Sequence, residues 1–313
     1  MNSIQDKSKI DLNIDTFFNE ISLESPINKE FFRQLVVKLS SKKGVNFTEN
    51  IIQVATNVSE ILINELNLDS DSAISYLVYI IVKEIDVSSE ELKSNLSIEI
   101  QEIINGLKKI ATLDTSKYNN QTDNFIKLLL TISDDLRVIL IKLASILYQM
   151  RNISNFDADY QKKIATETSV LYSPIAHRVG LYNIKTDFED LCMYYFNPEK
   201  YMEIKSKLAK TRDTLETYIS DFILPLEKKL KEHELDCQVF GRVKSVPSIW
   251  KKMLTQEVDF EKVYDLFAIR VIINSTCENE KAECWKVYSL VTEEYIPNPK
   301  RMRDWITVPK STS

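Results

Sequence analysis

The sequence predicts a mainly α-helical N-terminal domain followed by an α/β domain with a mixed sheet, and three observations carry that expectation. Only four of 313 residues are glycine, and a chain so poor in the residue that supplies turns and positive-φ positions is built largely of helices. Apolar residues recur at helical spacing through most of the chain up to about Glu234. Beyond Asp236 the pattern changes to short apolar, β-branched runs alternating with helical segments, the order expected of an α/β unit.

Residues 1–30 read as loosely ordered and then helical, and from Glu30 to about Glu234 helix follows helix. Leu136, Leu140, Leu143, Leu147 and Met150 repeat at 4, 3, 4, 3 spacing, which predicts one apolar stripe. Asp134 and Asp135 fall in that helix's first turn and Arg151 at its end, as the helix dipole favours. Thr115–Asn124, rich in Ser, Thr and Asn, reads as a loop. Met202–Glu234 reads as a long Lys/Glu-laced helix that Pro225 should kink or split. Cys237–Lys244 and Leu266–Ile273 read as strands, Val246–Gln256 and Glu283–Tyr295 as helices. The boundary falls within 195–235, giving domains 1–195 and 196–313.

A net charge of −6 and a pI near 5.3 give no global attraction to DNA or an anionic membrane, so any phosphate site must be a local basic cluster. Cys192, Cys237, Cys277 and Cys284 show no C-x-x-C spacing, which argues against a zinc knuckle and fits a reducing cytoplasm. The polar start, Met1–Asp11, lacks a signal core, and the most apolar runs fall short of the roughly 20 residues of a membrane span. The expected location is cytoplasmic.

Three stretches near the C-terminus carry candidate chemistry. In GRVKSVPSIWKKM, residues 241–253, Arg242 and Lys244 leave a strand end, Ser248 follows, and Lys251 and Lys252 lie on the next helix. A planar guanidinium, point-charge ammoniums and a helix start make a plausible polyphosphate cradle. In YDLFAIRV, residues 264–271, Asp265 stands at the mouth of an apolar strand, where magnesium takes one or two carboxylates together with phosphate oxygens. Lys300, Arg301, Arg303 and Lys310 place four cations in eleven residues. From composition alone the first basic run reads rather as a solvated face, the last equally as a solvated surface, and Asp265 equally as a helix cap or an internal ion-pair partner.

In this order the three stretches resemble the synthetase domain of long RelA/SpoT proteins, whose pattern runs G-R-x-K-x-x-x-S-I-x-x-K-M, then Y-D-L-x-A-I-R-V, then a basic R-x-K-D segment leading to P-K. LYSPIAHRVGLYNIK at 171–185 and Phe188–Leu191 resemble the linker between hydrolase and synthetase, and Asp135–Ala144 a hydrolase helix. The resemblance implies an HD-like helical bundle followed by a truncated nucleotidyltransferase-like domain. It implies a GTP/GDP pyrophosphokinase that transfers pyrophosphate from ATP to the 3′-hydroxyl of GDP, with GTP second. Arg242 would contact ATP, Lys244, Ser248 and Lys252 would hold its phosphates, and Asp265 would bind Mg2+ and be catalytic. Arg301, Arg303 and Lys310 would face the guanosine nucleotide. Arg301-Met302-Arg303-Asp304 is of the basic type that accompanies GDP preference.

Two departures stand out. The guanine-stacking aromatic, the His and the second metal-binding Glu of the family lie beyond Ser313, which implies a weak or silent synthetase in these residues alone. The Arg that family members often use for adenine is missing from 274–283, where only Lys281 stands. Ribosome or regulatory partners would act through regions outside this chain.

The same resemblance implies a hydrolase-like domain without its chemistry. Family hydrolases hold manganese with two His and two Asp, and this chain has only His177 and His233, neither before an Asp. SAISYLVYIIVKE at 72–84 corresponds to the helix carrying the His-Asp pair, and Tyr79 and Ile80 occupy those positions. The earlier His falls at Val54. L-A-D-R-L-H-N-M-R reads LASILYQMR at 143–151, so the metal-binding Asp is Ser145 and the His is Tyr148. No Mn2+ site is expected, and His177 reads as a structural residue. The alternative from another class is a non-catalytic module that binds a nucleotide or a partner.

Overall fold

The computed structural model describes residues 15, 17–19, 29–113, 122–132, 135–263, 265–276 and 278–308. The chain divides into two compact units, Met1–Tyr195 and Phe196–Ser313. No described helix is long and apolar enough to cross a membrane.

The first unit is a bundle of helices: α1 (Lys29–Lys43), α2 (Val45–Glu60), α3 (Ser70–Val82), α4 (Ser89–Asn95), α5 (Ile98–Ala111), α6 (Thr122–Ile132), α7 (Leu136–Arg151), α8 (Ala158–Glu167), α9 (Ser173–Arg178) and α10 (Tyr182–Phe196). Two π-helical segments, Ile61–Glu65 and Thr168–Tyr172, interrupt the regular turns. Polar side chains start the helices by accepting from orphan amides: Asp69 from Ser72 N, Ser88 from Glu91 N, Ser97 from Ile100 N and Asp157 from Tyr160 N.

Helix α7 runs through the centre. Val138, Ile139, Ile141, Leu143, Ala144, Ile146, Leu147 and Met150 are all buried, whereas Leu136 is 49% exposed. The predicted stripe is therefore too narrow: a helix packed on several sides buries residues off its periodic face as well. Asp135 lies outside the first turn as the N-cap, accepting from Arg137 N, and Asp134 falls outside the described residues. The Arg137 guanidinium reaches both Asp135 and Asp69 at 2.8 Å, tying the start of α7 to the start of α3. At the other end Arg151 bridges Glu65 at 2.5 Å and Asp187 at 2.7 Å. Of the predicted loop, 115–121 lies outside the described residues, and Thr122 already begins α6.

The second unit opens with α11 (Pro198–Glu232), one continuous helix of 35 residues, about 52 Å long at 1.5 Å per residue. Pro225 does not split it, although proline has no N–H to make the i→i−4 bond to Asp221. Strands β1 (Cys237–Val243) and β2 (Phe267–Ile273), helix α12 (Val246–Gln256) and helix α13 (Glu280–Glu294) follow. The described strands pair antiparallel, Cys237 opposite Ile273 and Val243 opposite Phe267, in place of the mixed sheet expected. A parallel pair needs its crossover laid across the sheet. Here α12 and the 3-10 turn Phe260–Lys262 return the chain to the end it left, where Lys244 N donates to Leu266 O at 2.8 Å.

One sheet face is apolar: Cys237, Val239, Ile269, Val271 and Ile273 pack with Leu226 and Leu230 of α11 and Val287 and Leu290 of α13. The other face carries Gln238, Phe240 and Arg242 opposite Ile272, Arg270 and Ala268, all exposed. The period of two thus sorts core from site.

Candidate functional site

The antiparallel turnaround brings the end of β1 and the start of β2 to one mouth, with the first turns of α12 above it. Lys244 Nζ donates to Asp265 Oδ2 at 2.5 Å, and Lys252 Nζ donates to the same oxygen. Three predicted site residues from three segments therefore converge. Partial burial tends to raise the Asp265 pKa, but hydrogen bonds and charge from the two ammoniums outweigh it and hold the carboxyl at about 2. Burial lowers Lys244, the less exposed of the pair, whereas contact with Asp265 outweighs burial at Lys252 and raises it. The positive charge of Arg301 works weakly against protonation of Lys252.

Ser248 is paired with Ser245, hydroxyl to hydroxyl at 2.8 Å. Ser245 is the N-cap of α12 but makes no side-chain cap bond, and Pro247 sits in the first turn. Arg303 donates to the Met302 carbonyl at 3.1 Å and is exposed. Asp304 accepts from the amides of Ile306 and Thr307, shaping the turn after the Arg pair. Lys310 lies outside the described residues.

Arg242 stands on the open sheet face. The cation sharing that face is Arg270, opposite Phe240 and diagonal to Arg242. Two arginines thus stand on one face of the sheet. This placement is hidden in local spacing, because only the pairing register shows which residues of two strands share a face. A carboxylate at the mouth suits a hard cation shared with phosphate oxygens, so Asp265 fits a magnesium ligand. Chemically, the lysines could pair with phosphate oxygens, and the two guanidiniums have flat faces of the kind a base stacks on.

In the first unit, Val54, Tyr79 and Ile80 are partly buried apolar contacts of the helical core, and Ser145 is buried. Tyr76 OH and Ser145 Oγ lie 3.2 Å apart, Gln149 Nε2 donates to Ser145 Oγ at 3.3 Å, and Tyr160 OH donates to Gln149 Oε1 at 2.7 Å. Hydroxyls and an amide satisfy one another there. Among the described residues no three His, Cys, Asp or Glu are grouped to hold a metal. In the same unit a cleft of about 300 Å3 is lined by residues that include Tyr148, Arg151, Glu60, Glu65 and Asn57. His177, expected to be structural, is exposed, with its ring edge-on to Tyr182 at 5.5 Å.

Comparison with known proteins bears on both units. Residues 32–182 match the HD domain family, and residues 241–313 match the region found in RelA/SpoT proteins. The chain is 33% identical over 253 residues to a GTP pyrophosphokinase of Myxococcus xanthus, covering 80% of this chain and 33% of that protein. It is 31% identical over 251 residues to the bifunctional (p)ppGpp synthase/hydrolase SpoT of Escherichia coli K12, covering 80% and 35%. It is 29% identical over 283 residues to a guanosine-3′,5′-bis(diphosphate) 3′-pyrophosphohydrolase of Aquifex aeolicus, covering 90% and 39%. The chain thus spans about a third of the length of these relatives. With an HD domain followed by a RelA/SpoT region and relatives of both activities along most of its length, the chain belongs to the RelA/SpoT family of (p)ppGpp synthetases and hydrolases.

Proposed function

We propose that this chain carries the ATP-handling part of a (p)ppGpp synthetase that transfers pyrophosphate from ATP to GDP, and that its HD-type domain is a non-hydrolytic regulatory body. The observation that carries the first half is the convergence of Lys244 and Lys252 on Asp265 beside a sheet face bearing Arg242 and Arg270. In the reaction, the ribose 3′-oxygen attacks the β-phosphorus of ATP. The bond from that phosphorus to the α,β-bridging oxygen breaks, AMP leaves, and the 3′-hydroxyl gives up its proton. Lys244 and Lys252 draw the phosphates to the mouth, and Arg242 and Arg270 take the base on the open face. Mg2+ at Asp265 would neutralise charge developing on the phosphoryl oxygens. Positioning and charge neutralisation supply the rate, since no side chain at the mouth needs to act as a nucleophile. Arg301 and Arg303 face the guanosine nucleotide and favour GDP.

The second half rests on the side chains at the four metal positions. Val54, Tyr79, Ile80 and Ser145 offer no imidazole or carboxylate, the ligands such a metal requires. Assaying AMP release by the full-length protein with ATP and either GDP or GTP tests the synthetase reading. GDP should be the faster acceptor, and Asp265→Asn should cost at least about a hundredfold. Equal rates in wild type and Asp265→Asn would refute the assigned site, and clear GTP preference would refute the acceptor assignment.

A further inference from the structure

We propose that Lys244 and Lys252 latch Asp265 in the nucleotide-free protein, so that a polyphosphate must draw off the two ammoniums before a divalent cation can reach the carboxylate. The inference rests on the nucleotide reading above and adds an order of binding to it. Both lysines donate to one carboxylate atom, Oδ2. A divalent cation approaching that oxygen alone meets two positive charges already in contact with it. A polyphosphate meets the opposite field: three charged groups with a net charge of +1, and two ammoniums whose present partner is a single carboxylate.

The latch is built into the backbone. Lys244 N donates to Leu266 O as the last rung of the strand pairing, so the residue before Leu266 and the residue after β1 are held side by side. Lys252 is placed by α12, whose apolar side, Val246, Ile249 and Met253, is buried. The latch is nevertheless accessible: the side chains are 22%, 28% and 39% exposed for Lys244, Lys252 and Asp265. Ligands from solvent can therefore compete for each partner. Metal-free nucleotide binds first or arrives with its cation, and the cation alone stays out.

Zero-length carbodiimide cross-linking reads the contact directly, because it joins an amine to a carboxylate only when the two touch. In the full-length protein, the Asp265–Lys244 and Asp265–Lys252 cross-links would be quantified by peptide mass spectrometry. The Lys207–Glu261 pair, 2.8 Å apart, provides the normalising cross-link. The latch predicts Asp265 cross-links in the free protein, unchanged yield with Mg2+ alone, and loss to background with the non-hydrolysable analogue AMPCPP. No Asp265 cross-link in the free protein, its loss with Mg2+ alone, or its persistence at AMPCPP concentrations shown calorimetrically to saturate would overturn the latch. If AMPCPP does not bind at all, the nucleotide reading falls and the latch falls with it.

Discussion

At Gly241 a β-carbon would stand 2.0 Å from Ile219 Cγ2 and 3.2 Å from Ile223 Cδ1, both on α11. The absence of a side chain therefore lets β1 lie close against the long helix, with Arg242 and Lys244 next in line. Gly241→Ala should lower stability by about 1–3 kcal/mol, as overpacking does. Because the strand must move to make room, it should also weaken ATP binding. Denaturation and calorimetry on the same sample check both, and unchanged values in both would remove Gly241 from the positioning of the site. The mouth residues are legible in sequence because Gly241, Arg242, Lys244, Ser248, Lys252 and Asp265 fall in two short local patterns. Arg270 belongs to one of those patterns, yet its partnership with Arg242 depends on register between segments about 28 residues apart. The Ser245–Ser248 pairing is equally invisible, since nothing local sets the direction of two hydroxyls.

At the scale of elements, helices and strands follow from periodicity, and their surroundings do not. Helix α7 shows the limit: its heptad-like leucines are readable, but its burial on several sides comes from α3, α5, α8 and the π-helical segments packing around it. The strand directions likewise depend on where α12 returns the chain, a property of the connection as a whole. Packing around α7 also sets a pH response. Burial pushes the Tyr76 phenol up to about 12 against a weaker opposing hydrogen bond with Ser145, and it raises Tyr172. Burial raises the Cys192 thiol to about 12, and that thiol donates to the Ala165 carbonyl. Each folded-state pKa lies above the unfolded value, so the folded protein keeps protons that the unfolded chain releases. That stability is fully present below the unfolded pKa values and is lost as pH rises through about 9 to 12. Urea midpoints should hold steady up to about pH 9 and then fall, with Tyr76→Phe shallower in its decline. A flat profile to about pH 11 would contradict this burial.

The whole molecule comprises two compact units, Met1–Tyr195 and Phe196–Ser313. Composition and glycine scarcity make the helical first unit legible, and the family resemblance marks where its metal ligands would stand. At one of those positions Ser145 joins a hydrogen-bonded chain with Tyr76, Gln149 and Tyr160, and the other three are partly buried apolar contacts. A ligand raises the melting temperature only if it binds the folded state. Micromolar Mn2+ should therefore leave the melting temperature of this chain unchanged, and a clear upward shift would restore a metal centre to the first unit.

The most direct test of a synthetase joined to a silent hydrolase is one progress curve on the full-length protein with ATP, GDP, Mg2+ and Mn2+ present together. AMP and the 3′-pyrophosphorylated product should rise one for one and then persist, with no free pyrophosphate. Absence of AMP, or a product that decays with release of pyrophosphate, would contradict the account.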